Sequence, residues 1–275
     1  MPLPALRMAI LIGIGAGILG AQTAVVLRTS PLPTPGDIAA LESHLLDNPD
    51  DLEAQSQILQ VYAPHGTGPV DPARQALRLQ HILYLVQRHP EAPVSASHAA
   101  YVYRAGFPQA NAADHEALRQ AWLDAAQAHS KDSAVTLNAV RFLAVEDAGD
   151  AEQVLKRAMA AEPENRELAA HLGFLYAIEL LGLPSLDRGA RPGISGRERS
   201  DLAMQELEQS SNAIVLAAAG TVLANLTKAM NVDAIDGTML NFANDLTARA
   251  RRLAPNDADI QGPMPLITYF VAAQR

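Results

Sequence analysis

The sequence predicts an all-α fold built as a stack of helix-turn-helix units, and three observations carry that prediction. Apolar side chains recur every three or four residues between turn signals, as in Ile38, Leu41, Leu45 and Leu46, or Leu79, Ile82, Leu83 and Val86. Aromatic residues are only 4% of the chain while alanine and leucine abound, which suits close helix-on-helix packing. No stretch alternates apolar and polar residues with the period of a half-buried strand.

The first element is residues 8–27, an uncharged apolar run bracketed by Arg7 and Arg28. A helix of that length rises about 30 Å, the thickness of a bilayer's hydrocarbon core. A cleavable signal peptide has an apolar region of about 7–15 residues ending at a small-x-small site. This run is longer, and its nearest such site, Ala21-Gln22-Thr23, ends in an unfavourable threonine. Residues 1–28 are therefore expected to form an uncleaved signal anchor, a single transmembrane helix. The N-terminus and Arg7 precede the span, and Asp37, Glu42 and Asp47 follow it. That asymmetry places residues 29–275 outside the cytoplasm, in the periplasm if the source is bacterial. Gly13, Gly17, Ala21 and Ala24 share one helical face, the small-residue pattern through which membrane helices approach and dimerise. Gly15-Ala16-Gly17-Ile18-Leu19-Gly20 also fits a dinucleotide-binding G-x-G-x-x-G. The second strand such a site requires would fall on Pro31, Pro33 and Pro35, which cannot build a central strand.

Residues 29–36 read as a stiff linker, because alternate prolines favour an extended conformation. From 37 to 255 the pattern is helical. Asp37 caps a helix through Asp47, and Asn48-Pro49-Asp50-Asp51 ends it and caps the next, which carries Ile58, Leu59 and Tyr62. Asp71-Pro72 supplies an N-cap and a first-turn proline for a helix running to His89-Pro90. Further helices are expected over 95–105, 111–128, 133–147, 150–161, 166–181, 198–217, 219–230 and 234–253. Residues 256–275, with Gly262-Pro263-Met264-Pro265, form a C-terminal tail outside the stack.

Composition narrows the chemistry. The absence of cysteine excludes a lipoprotein anchor, thiol nucleophiles, thiolate zinc sites and disulfides. A net charge of −9 argues against a general nucleic-acid binder. None of the eight histidines lies four residues from another, the spacing a zinc-binding helix uses. Asp114-His115-Glu116 is the only local cluster and reads as a solvated helix start. No G-x-S-x-G or Walker loop occurs, so no catalytic residue, metal or cofactor is expected. The segment 182–200 holds four arginines and four glycines in an acidic chain. It reads either as an inserted loop or as a site for an anionic group or acidic partner.

Spacing is most specific between 132 and 176. Ala158, Leu155 and Ala151 precede Pro163 by five, eight and twelve residues, and Leu172, Gly173 and Tyr176 follow it by nine, ten and thirteen. This resembles the tetratricopeptide repeat, a 34-residue helix-turn-helix unit. One repeat would run from Asp132 to Asn165, with Ala139 and Phe142 in its first helix, and the next would begin at Arg166. Small residues such as Gly173 stand where helices cross closely, and Phe142, Leu155 and Tyr176 fill the space between them. Pro49 with Ile58, Leu59 and Tyr62, and Ala243, Ala250 and Pro255, match more loosely. Prolines 49, 90, 163 and 255 are 41, 73 and 92 apart, none a multiple of 34, so the units are irregular.

The resemblance implies a right-handed solenoid whose ligands lie in a concave groove lined by first helices. It places Ser133, Thr136 and Val140 in that groove from one repeat, and Ala170, His171 and Phe174 from the next. The lysine and asparagine with which some members of the family clamp a C-terminal carboxylate are absent. The expectation is a membrane-anchored scaffold that binds other proteins outside the cytoplasm, without catalysis or nucleic acid. A structural membrane homo-oligomer, or an enzyme with an unrecognised site, is the alternative.

Overall fold

The computed structural model describes residues 34–63, 71–105, 110–182, 196–230 and 237–262. Among these residues the chain is all-helical, with no strand. The helices are α1 (Pro35–Asp47), α2 (Leu52–Tyr62), α3 (Pro72–Arg88), α4 (Ala112–Ala128), α5 (Ser133–Glu146), α6 (Ala148–Ala161), α7 (Arg166–Leu180), α8 (Gly196–Gln209), α9 (Ala213–Met230), α10 (Thr238–Leu253) and α11 (Ala258–Gln261). The apolar run 8–27, with Gly13, Gly17, Ala21 and Ala24, lies outside the described residues. Among those described, no helix is long and apolar enough to cross a membrane.

Helix starts follow the side chains that satisfy free backbone N–H groups. Asp51, Asp71, Asn111, Asp132 and Asn165 each accept from backbone amides of the turn they open. At α1 the expectation shifts by one turn. Thr34, not Asp37, is the N-cap, and Asp37 completes a capping box by accepting from the Thr34 N–H at 2.8 Å. Pro35 and Gly36, expected in the linker, are therefore helical.

Three further expectations are corrected. Residues 95–105 do not form an α-helix: short 3-10 turns at Pro93–Ala96 and His98–Ala100 give way to an extended Tyr101 and non-helical backbone through 103. The buried guanidinium of Arg78 holds that segment, donating to the Ala99 carbonyl at 2.8 and 3.0 Å and to the Tyr101 carbonyl at 2.7 Å. Those carbonyls are thereby unavailable to a helical ladder. The break expected near 218 lies instead at 210–212, where Asn212 accepts from Ile214 and Val215 and opens α9. Finally, the stack does not end at 255, because α11 inserts Ile260, 2% exposed, into the core.

Successive helices pack on one another from α1 through α8, after which α9 lies against α7 and α10 runs along α9. One continuous core extends from Leu59 to Ile260, with the sole tryptophan, Trp122, inside it. A small separate cluster, Leu45, Ala54, Ile58 and Tyr62, joins α1 to α2. Two glycines permit the closest approaches. A Cβ at Gly173 would overlap the Val215 carbonyl oxygen of α9. One at Gly220 would stand 2.7 Å from the Ala243 oxygen and 2.5 Å from Thr247 Oγ1 of α10.

Candidate functional site

The residues expected to line a groove occupy α5 and α7. Thr136, Val140, Ala170 and His171 are buried, while Ser133 and Phe174 are half-buried. Neighbouring elements pack on both helices: Asn138 of α5 donates to the Pro90 and Ala92 carbonyls, and α9 lies along α7. The His171 ring donates from Nδ1 to the Glu167 carbonyl at 2.8 Å. Burial pulls its pKa below the ordinary imidazole value, against the carbonyl's opposing effect. Of the six positions, Ser133 and Phe174 offer the most surface to a partner. The exposed Arg141, which donates to Asn138 at 3.1 Å, stands on the same helix as Ser133.

The densest polar cluster surrounds His115, which is fully buried rather than on a solvated face. Its Nδ1 lies 2.7 Å from the Val102 carbonyl and 3.1 Å from Glu146, and its Nε2 lies 2.8 Å from Asp147. Both ring nitrogens lie within hydrogen-bonding distance of oxygen atoms. Arg104 closes the cluster, its backbone N–H on Glu146 at 2.9 Å and its guanidinium on Asp147 at 2.5 Å. Arg119 reaches Asp150 at 2.6 Å beside it. Burial raises Glu146 above the ordinary carboxyl range, opposed by the Arg104 amide and the nearby cations. Burial acts the same way on Asp147, but hydrogen bonds from His115 and Arg104 outweigh it and hold Asp147 low. The His115 and Asp147 side chains have no exposed surface. The cluster ties the non-helical 101–104 segment to the corner between α5 and α6.

Sequence reasoning missed this cluster because its members sit on different elements. His115 and Asp147 are 32 residues apart, and their partners lie on a segment expected to be helical. The available signal was Glu146-Asp147, two carboxylates inside an otherwise apolar stretch.

A second cluster joins α6, α7 and α8. Arg199, the last arginine of the 182–200 segment, contacts Glu179 and donates to Glu152 at 3.1 Å. Tyr176 donates to Glu152 at 3.0 Å, and Lys156 bridges Glu152 at 2.9 Å and Glu206 at 2.8 Å. Burial pushes the Glu179 carboxyl up to about 7, although Arg199 pulls in the other direction. The rest of the arginine- and glycine-rich segment, 183–195, lies outside the described residues.

Histidines also serve the α1–α3 end. His81 stands between Gln55 at 3.0 Å and Glu42 at 3.3 Å, His89 shares Asp50 with Tyr84, and His44 pairs with Asp51 at 2.8 Å. Among the described residues no group of three or more His, Asp or Glu side chains is arranged to hold a metal ion. Compared with protein-family models, with curated proteins and with solved structures, the chain matches none.

Proposed function

We propose that this chain is a membrane-tethered scaffold related to the tetratricopeptide repeat, which presents its helical stack outside the cytoplasm and binds other proteins without catalysis. The observation that supports it is the packing of consecutive helices along one unbroken core from Leu59 to Ile260. An array of that kind offers an extended surface assembled from many helices. The positions behind the family resemblance are consistent with it: Ala139, Phe142, Ala151, Leu155, Ala158 and Tyr176 are buried, and Gly173 meets α9. The tether rests on the length and flanking charge of residues 8–27. The binding surface is the edge of α5 and α7 at Ser133, Arg141 and Phe174.

The test is a photo-crosslinking residue at Phe174, with Arg157 on α6 as the control, in the full chain in its native membrane. The expected result is a heterologous adduct from position 174 only, lost when Ser133→Glu and Arg141→Glu are added. Adducts only between copies of this chain would transfer the role to a homo-oligomer. No adduct from position 174 would overturn the scaffold reading. Protease added to cells stripped of any outer membrane, with the inner membrane intact, should digest the helical stack; full protection there would overturn the topology.

A further inference from the structure

Helix α8 differs from its neighbours in how it is held. It packs chiefly on α7 and buries only Ala203 and Leu207 among its described side chains, while Leu202 and Met204 face outward. Its C-terminal end is fixed by Arg249 of α10, which donates to the carbonyls of Leu207, Glu208 and Ser210 at 3.2, 2.9 and 3.2 Å. Its N-terminal end is fixed by Arg199, inserted between Glu179 of α7 and Glu152 of α6. The two anchors differ in kind: carbonyls do not titrate, whereas carboxylates do.

Glu179 is the weak point of the second anchor. Its side chain is 6% exposed; Oε1 accepts from Arg199, while Oε2 is buried with no hydrogen-bond partner among the described residues. The titratable and charged groups around it are Glu152 and Lys156 from α6, Tyr176 on α7, and Arg199 and Glu206 from α8. Among the described residues, three carboxylates therefore face two cations, with Glu179 the most buried of the three. A proton taken from solvent onto Oε2 removes the excess negative charge and leaves Oε1 free to accept from Arg199.

We propose that Glu179, buried beneath Arg199, is a proton-operated latch: α8 docks its N-terminal end against α6 and α7 more firmly when Glu179 is protonated, because the ionised carboxylate must stay out of water with Oε2 unpaired and Arg199 offsets only part of that cost. The C-terminal end, on Arg249, serves as the pivot. Burial already pushes the Glu179 carboxyl up to about 7 with α8 docked. With α8 undocked the group regains water and returns toward its ordinary value of about 4.3. Docking thus takes up a proton, and the docked-to-undocked ratio falls about tenfold per pH unit between those values, then levels above neutrality.

The experiment is hydrogen–deuterium exchange of the full chain between about pH 5 and 8, corrected for the intrinsic exchange rate, with α9 as internal reference. Protection of the first three turns of α8 should fall at least tenfold relative to α9 as pH rises. Glu179→Gln, permanently neutral, should keep α8 protected with a flat profile. A flat wild-type profile would overturn the proposal by itself, even if the variant failed to fold. So would a Glu179→Gln protein that folds and retains the wild-type slope.

Discussion

Replacing Gly173 by alanine tests the stacking geometry at its tightest point. In an exposed helix the exchange stabilises by about 1 kcal/mol, because alanine loses less backbone entropy. Gly173 faces the backbone of α9, where the new Cβ would overlap the Val215 carbonyl oxygen and lie 3.0 Å from both Ala218 Cβ and Ala219 N. A relaxed C···O contact needs about 3.3 Å, so α9 must retreat by roughly 1 Å. A gap of that size forfeits up to about half of each dispersion contact it opens. The contacts at risk belong to Val215, Leu216, Ala219 and Val222, all buried along α9. Overpacking costs about 1–3 kcal/mol, and the upper end applies because backbone cannot rotate aside as a side chain does. After the propensity gain, Gly173→Ala should destabilise by about 2 kcal/mol. Gly149→Ala is the matched control. Its Cβ would meet only the Arg199 guanidinium at 3.5 Å, so it should be neutral or stabilising by up to about 1 kcal/mol. Urea unfolding followed by Trp122 fluorescence reads both. A Gly173→Ala midpoint at or above wild type would refute the claim that α7 and α9 are held in backbone contact.

Other residues carry separable expectations. Trp122→Ala removes a fully buried ring and should cost about 3–5 kcal/mol in thermal or chemical unfolding followed by circular dichroism. Asn212→Ala removes the acceptor that opens α9 and should cost about 1 kcal/mol by urea unfolding. Arg78→Met leaves the Ala99 and Tyr101 carbonyls without their donor. Amide exchange should then accelerate across 97–104 before it does in α9. Asp147 sits below its ordinary carboxyl value, so its contribution is present at pH 7 and disappears as pH falls through its folded value. Asp147→Asn should therefore destabilise clearly at pH 7 and much less near pH 2, as compared by urea midpoints at the two pH values.

Local structure was legible wherever one side chain decided it. Asp51 and Asp71 announced helix starts because a cap needs only its own next turn. The errors fall where distant groups outvote local preference. Residues 95–105 lost their helix to Arg78, a guanidinium more than 20 residues away that draws out the carbonyls a helix would use. The break expected between 217 and 219 falls inside α9, just before Gly220. At Gly220 α10 comes too close for a side chain, and the helix break lies instead at Ser210-Ser211-Asn212.

The same logic separates what the repeat-like spacing conveys about packing from what it conveys about binding. Spacing rules report which small residues are covered by other helices: Ala139, Ala151 and Ala158 are buried, and Gly173 abuts the backbone of α9. A groove is different, because it exists only if no later element fills it. Along α5 and α7 the 90–96 turn and α9 pack in, and Thr136, Val140, Ala170 and His171 are buried. The polar clusters escape local reading for the opposite reason. His115 with Asp147, and Arg199 with Glu179, acquire meaning only when three helices converge, and neither pair has a spacing that a single helix face would record. Where elements this distant meet around a buried charge, the energetic stakes exceed those of any cap, since an unpaired buried ion costs several kcal/mol. The α6–α7–α8 junction combines such stakes with a helix that buries little apolar surface. There the proposed latch sets one proton against the docking of a helix held by little apolar contact.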